Sequence, residues 1–180
     1  MQLTVNGNIM DFYSGYPSSI KENEPITKWQ VYARKPLDES VRRSFQSALS
    51  PVFEGKTELE AVEVLLNLVQ TGFTYGSDYE IWGGDRAFFA EETLYYPYSD
   101  CEDRSILFSS LVRELLGLDV VLIYYPNHLA TAVGFSSNVP GDYLEMDGKR
   151  YVICDPTYVN APVGVTMSGV DNSKAKVIII

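Results

Sequence analysis

The chain of 180 residues holds one histidine, His128, and two cysteines, Cys101 and Cys154. Cys101, His128 and Asp155 follow in that order, each 27 positions after the last. The trio is chemically sufficient for nucleophilic catalysis. A thiolate attacks a carbonyl, an imidazole takes and returns the proton, and a carboxylate fixes the imidazole tautomer. Cys154 has a plainer reading. It sits one residue before Asp155, so strand alternation turns its side chain to the opposite sheet face, where it packs.

Each of the three must be held by an element end. Tyr95 to Gly117 reads as an aromatic loop feeding a capped helix over residues 100–116, with Cys101 in its first turn and Gly117 at the C′ position. Unpaired N–H groups and the helix dipole favour thiolate there. Iodoacetamide is then expected to alkylate Cys101 quickly below pH 7, and more slowly after His128→Ala. Ser105, Ser109 and Val112 share the Cys101 face of the helix, and the two serines are small enough to let strands approach closely.

The strands follow. Asp119 to Tyr125 is a short apolar run, Pro126-Asn127 a turn, and Leu129 to Phe135 the return strand, which places His128 at a strand start. Tyr143 to Met146 and Lys149 to Cys154 flank Asp147-Gly148, a strong hairpin signal, with Asp155 just beyond. Upstream, Leu3 to Val5 reads as a short strand in an otherwise surface arm of residues 1–26. From Thr27 to Arg34, Trp29, Val31 and Ala33 alternate with Lys28, Gln30, Tyr32 and Arg34, the pattern of a half-buried strand. Asp38 caps a helix to about Leu49, and Thr57 with Glu60 makes a capping box for a second helix that ends at Gly72. Residues 73–92 form a long loop rich in Gly and aromatics, of the kind that carries function. The fold class is α+β: N-terminal helices packed on a C-terminal antiparallel sheet, within a single domain over residues 27–180.

A net charge of −10 and the lack of any Lys/Arg run argue against a nucleic-acid partner. No apolar run approaches the length of a membrane span. Two cysteines make no disulfide framework and leave the compartment open, and no basic-then-apolar leader is present, so export would require a signal outside this chain. The ending Ala-Lys-Val-Ile-Ile-Ile reads as a strand in need of a partner, as in a domain cut from a longer protein. One His and two widely spaced Cys make poor zinc ligation, so neither a metal nor a cofactor is expected.

Residues 98–158 resemble the core of the transglutaminase-like superfamily, in its bacterial form, within the larger papain-like cysteine hydrolases. Three blocks carry the resemblance: Cys101-x-Asp103-x-Ser105 with Leu111, Arg113 and Gly117; Asn127-His128-Leu-Ala-Thr-Ala-Val133; and Asp155-Pro156-Thr157. The resemblance implies Cys101 as nucleophile, His128 as general base and acid, Asp155 as orienter, and a peptide or protein substrate. It also implies an oxyanion hole made of the nucleophile's N–H and an upstream side chain. No Gln precedes Cys101 to supply it, and Trp82, Tyr96 and Tyr98 are the candidates for that role and for the cleft wall. His128 is followed by Leu-Ala where larger transglutaminases have Ala-Trp, and the chain has no room for their accessory domains or calcium sites, which points away from their protein crosslinking.

Three functions compete. The first is acyl transfer from an amide through a thioester on Cys101, ending in hydrolysis or transamidation. The second is an inactive domain of the same fold that binds a peptide or glycan in its aromatic cleft. The third, a thiol redox pair of Cys101 with Cys154, needs both sulfurs on one side of the sheet.

Overall fold

The computed structural model describes residues 3–16 and 25–180. Its element order separates helices from strands. Helices α1 (Gly7–Ser14), α2 (Pro25–Arg34), α3 (Glu39–Phe53) and α4 (Glu58–Gly72) lead into a short parallel pair, β1 (Thr74–Tyr75) with β2 (Tyr98–Ser99). The small helices α5 (Asp78–Ile81) and α6 (Ala90–Tyr95) lie between those two strands. Helix α7 (Cys101–Leu111) follows and widens to π pitch over Val112–Leu116, where Gly117 closes it at φ 69°.

A five-stranded antiparallel sheet completes the α+β fold: β3 (Asp119–Tyr125), β4 (His128–Gly134), β5 (Tyr143–Met146), β6 (Lys149–Cys154) and β7 (Lys176–Ile179), in the order β5-β6-β4-β3-β7. The β3–β4 hairpin pairs Tyr125 with His128, and its turn residue Asn127 takes a left-handed φ of 63°. Asp147-Gly148 likewise turns β5 into β6 with both residues at positive φ, the requirement of a type I′ turn. Gly164 shows the other use of glycine: a Cβ there would lie 2.7 Å from the Pro140 carbonyl oxygen.

One sheet face packs on the helices. Val120, Leu122, Leu129, Val133, Val152 and Cys154 join Ile106, Leu107, Phe108 and Leu111 of α7 and Val62, Leu65 and Val69 of α4 in the main core. Val121, Ile123, Tyr125, Ala130, Ala132, Tyr151 and Ile153 form a smaller cluster on the reverse face, covered by Val170 and Ala175. The apolar character of β3 on both faces is why it reads as a continuous run. The C-terminal strand finds its partner within the chain, since β7 pairs with β3 and the Ile179 carbonyl accepts from Gln30 Nε2 at 2.8 Å. Among the described residues no helix is long and apolar enough to cross a membrane.

Three expectations fail in the N-terminal third. Residues 27–34 are a helix. Its buried positions Trp29, Tyr32 and Ala33 are spaced i, i+3, i+4, a helical stripe that is hidden when tyrosine is counted as polar. Residues 3–5 form no ladder, although Leu3 and Val5 pack on the core. The expected surface arm contains α1, whose Met10 and Tyr13 are buried, with Tyr13 stacked on Phe89 at 4.3 Å. The remainder of that arm, residues 1–2 and 17–24, lies outside the described residues.

Candidate active site

Cys101 opens α7, and the sequence just before and after it sets the helix start. The Asp100 N–H donates to Asp103 Oδ2 at 3.2 Å, and Asp103 Oδ1 accepts the Phe88 N–H at 2.9 Å. Asp103, fully buried, thus ties the segment before α6 to the first turn of α7. Arg104, also buried, donates to Ser99 Oγ and to the Gln70 and Phe73 carbonyls, which fixes the helix against the end of α4. Ser105 Oγ donates to the Leu129 carbonyl at 2.9 Å. This bond brings α7 against β4 and leaves Cys101 beside the Leu129 N–H, which faces the sulfur.

His128 stands at the start of β4. Its Nε2 lies 2.7 Å from Asp155 Oδ2, with the His128 side chain 10% exposed and that of Asp155 2%. The other Asp155 oxygen accepts the Thr157 and Tyr158 N–H groups at 2.9 and 3.2 Å, while the Asp155 carbonyl takes Gln70 Nε2. A carboxylate held this way fixes the proton on Nε2 and leaves Nδ1 as the free basic nitrogen. Tyr125 stacks on the imidazole, with ring centroids 6.2 Å apart.

Cys101 and His128 line one cleft of about 270 Å³. The Trp29, Tyr75, Tyr79 and Tyr124 side chains and the carboxyls of Asp78, Asp85, Asp100 and Glu102 complete its wall. The structure therefore brings the three predicted chemical residues to one place: His128 is bonded to Asp155, and Cys101 opens into the same space. Among the described residues no hydrogen bond joins the sulfur to an imidazole nitrogen. Cys101 Sγ donates to Glu102 Oε2 at 3.0 Å.

That contact reverses the expected electrostatics. Burial pushes the Cys101 thiol well above its ordinary range, the Glu102 and Asp100 charges push it further, and only the Leu129 N–H opposes them. Loss of solvation and a carboxylate at hydrogen-bond distance outweigh the favourable helix terminus. Cys101 is a thiol at neutral pH in this state, so rapid alkylation below pH 7 is no longer expected. The acidic neighbours feel the same burial. Asp78 rises to about 6, chiefly by desolvation and against the bond from the Arg86 N–H. Asp100 and Asp103 are both raised, by burial first and then by the surrounding carboxylates.

The three aromatics expected in the cleft are elsewhere. Trp82 and Tyr96 pack edge-on at 5.1 Å and, with Phe88, surround the Arg86 guanidinium, 4.4 Å from the Trp82 ring. Trp82 lines a different cavity, beside Tyr13 and Tyr32. Tyr98 pairs with Thr74 in the β1–β2 ladder, and none of the three borders the cleft. Trp29 takes that place. It is 6% exposed, and its indole N–H is buried without a hydrogen-bond partner. Its helical stripe was the sequence signal that could have found it.

Cys154 packs, as expected, on the sheet face opposite Asp155, but that face is the one toward α7 and Cys101. It lies opposite Thr131 and is fully buried in the core between helices and sheet, against which Cys101 packs too. Strand alternation correctly separates Cys154 from Asp155, but it is Cys154 that faces α7. Both cysteines are free.

His and Cys were the only metal-binding residues the sequence pattern raised. The described residues bring carboxylates together instead: ligand atoms of Asp78, Asp85 and Glu102, and of Asp100, Cys101 and Glu102, lie within 4.8 Å of one another. The run Asp100-Cys101-Glu102-Asp103 was the signal for this concentration of negative charge.

No protein-family model and no curated protein matches the chain. Solved structures similar to it include two candidate proteases. One, from Cytophaga hutchinsonii, is named as a candidate cysteine protease; it is 14% identical with a TM-score of 0.47, over 89% of this chain and 53% of that one. The other, from Parabacteroides distasonis ATCC 8503, is named as a candidate protease; it is 10% identical with a TM-score of 0.45, over 78% of this chain and 30% of that one. The chain thus spans about half of the first and under a third of the second.

Proposed function

We propose that the chain is a cysteine-dependent hydrolase or acyltransferase that acts on amide bonds of peptides. The observation that carries this reading is the His128 Nε2 to Asp155 Oδ2 bond of 2.7 Å at the edge of the cleft that Cys101 enters. A binding module has no need of an imidazole oriented by a buried carboxylate in a cleft that also holds a thiol.

The resting thiol defines the first step. His128 Nδ1 takes the Cys101 proton as the sulfur bonds to the amide carbon, so the base acts during attack and no thiolate is stored beforehand. Asp155 stabilises the imidazolium that results. In this reading the carbonyl oxygen, now an oxyanion, accepts the Cys101 backbone N–H at the helix start, and the Trp29 indole N–H, buried without a partner behind the cleft wall, is the second donor once it turns into the cleft. Collapse breaks the C–N bond, His128 returns its proton to the leaving amine, and a thioester remains on Cys101. Water or a second amine, deprotonated by the same imidazole, then attacks the thioester and releases the sulfur. Water gives hydrolysis and an amine gives transamidation.

The test is turnover of a panel of peptide aminocoumarin amides by the native protein, Cys101→Ala and His128→Ala. The reading expects no turnover by Cys101→Ala and a rate lower by about 10²–10⁴ for His128→Ala. Turnover that survives Cys101→Ala overturns it.

A further inference from the structure

The cleft carries a feature that the acyl-transfer chemistry does not use: an uncompensated group of acids. Asp100 is 8% exposed, borders the cleft, and its Oδ1 has no hydrogen-bond partner. Leaving a buried carboxylate oxygen unpaired is costly unless something supplies the missing donor. Glu102 spends one oxygen on a thiol, a weak donor, its hydrogen bond with Asp100 joins two acids and brings in no cation, and no Lys or Arg among the described residues reaches either acid. The nearest chain cations are engaged elsewhere: Arg104 with Ser99 and two carbonyls, Arg86 with Glu92 and Tyr96, and Lys28 with Asp85. His128 is committed to Asp155.

Building on the acyl-transfer reading, we propose that the cleft takes the guanidinium or ammonium side chain of a peptide substrate, held by Asp100 and Glu102 with Asp78 behind them. The walls favour an organic cation over a hard metal ion. The carboxyls of the cleft supply only part of the six or more oxygen donors or retained water that calcium and magnesium need, and much of the remaining wall is the Trp29, Tyr75, Tyr79 and Tyr124 side chains. Aromatic faces suit a weakly hydrated cation on an aliphatic stem. The chain already contains one example: Lys28 Nζ sits 4.4 Å from the centre of the Trp29 ring and 2.5 Å from Asp85 Oδ2, at the rim of the same cleft.

Docking has a consequence for the nucleophile. A guanidinium that pairs with Glu102 draws its carboxylate from the Cys101 sulfur and cancels the charge that holds the thiol protonated. The thiol is then free to turn to His128. Substrates with a basic residue near the scissile bond would switch on their own attack, and neutral peptides would meet a silent thiol. No bond is made or broken in this step.

Calorimetric titration with N-acetyl-arginine amide and its neutral isostere N-acetyl-citrulline amide tests the proposal on the full chain. The arginine derivative is expected to bind at least about tenfold tighter, with the preference lost in Glu102→Gln and in Asp100→Asn; Glu102→Gln keeps the side-chain shape should the buried Asp100 variant fail to fold. Equal binding of the two, or a preference untouched in a folded variant, overturns the proposal. So does calcium binding at these acids without arginine selectivity. The outcome is separable from the catalytic reading. Arginine preference without any Cys101-dependent turnover leaves the cation site and removes the enzyme, whereas turnover without the preference does the opposite.

Discussion

Glu102→Gln removes one charge and almost no volume beside the nucleophile, so its effect can be worked from one distance. Glu102 Oε2 accepts the Cys101 thiol at 3.0 Å. At that separation two unit charges repel by about 1.4 kcal/mol in a water-like medium and by about 5 kcal/mol at an effective dielectric of 20. One pKa unit corresponds to about 1.4 kcal/mol, so loss of the charge should lower the Cys101 pKa by roughly one to four units. Glu102 is partly buried and still touches solvent, which puts the expected shift near the lower end, about one to two units. Glutamine keeps an oxygen that can accept from the thiol, so the change isolates charge from hydrogen bonding. The assay is the second-order rate of Cys101 alkylation by iodoacetamide across pH 6–10, read by peptide mass spectrometry. Cys154, fully buried, serves as the internal control. Below the midpoint the rate follows the thiolate fraction, so the rate at any pH from 7.5 to 10 should rise by about tenfold or more. An unchanged or slower reaction across that range would refute the reasoning that Glu102 holds the thiol protonated.

Asp155→Asn should leave the His128 hydrogen bond in place but permit the wrong tautomer, with a fall in kcat on the order of 10³–10⁴ and little change in KM, measured on any amide the native protein turns over. Trp29→Phe keeps an aromatic ring and deletes only the unpartnered indole donor. An oxyanion role predicts a kcat loss of about 10²–10³, and a loss below tenfold would assign Trp29 to packing. Asp78 gives an unusual pH dependence of stability. Its folded pKa of about 6 lies above the unfolded value of 3.8, so the folded state binds the extra proton between them. Stability from this group is therefore full at low pH and falls as pH rises from about 4 to 6, by about 3 kcal/mol at most. Urea midpoints at pH 5 and 7 should show the fall in the native protein and a smaller one in Asp78→Asn.

The part of the fold legible in the sequence is the part governed by local rules. Thr57 and Glu60 make the reciprocal capping box that their spacing predicts, Asp38 caps α3, and Asn127 and Asp147-Gly148 turn the two hairpins. The errors arise where tertiary context outranks pattern. Trp29, Val31 and Ala33 alternate perfectly, yet Tyr32 is buried with them, and a single amphipathic residue converts a period of two into one of 3.6. The same limit governs the site. The order of Cys101, His128 and Asp155 and their positions at element ends were visible, but the cleft walls were not, because Asp78 opens the short helix α5 inside a segment that reads as a loop, Asp85 follows it, and Trp29 comes from a helix that reads as a strand. The thiol shows the competition most clearly. A helix N-terminus argues for thiolate, and burial beside Glu102 argues more strongly for thiol. The sign was available in the acids flanking Cys101; the magnitude required the cleft.

The central claim is that Cys101 carries an acyl group that His128 helps to load. Rapid acid quench of the native protein with a turned-over peptide amide, followed by intact mass spectrometry, measures this directly. The account predicts an adduct of the acyl mass on Cys101 that hydroxylamine removes, absent from Cys101→Ala and formed on the order of 10²-fold or more slowly in His128→Ala. An adduct that forms at the native rate without His128, or turnover with no adduct on Cys101, would contradict it.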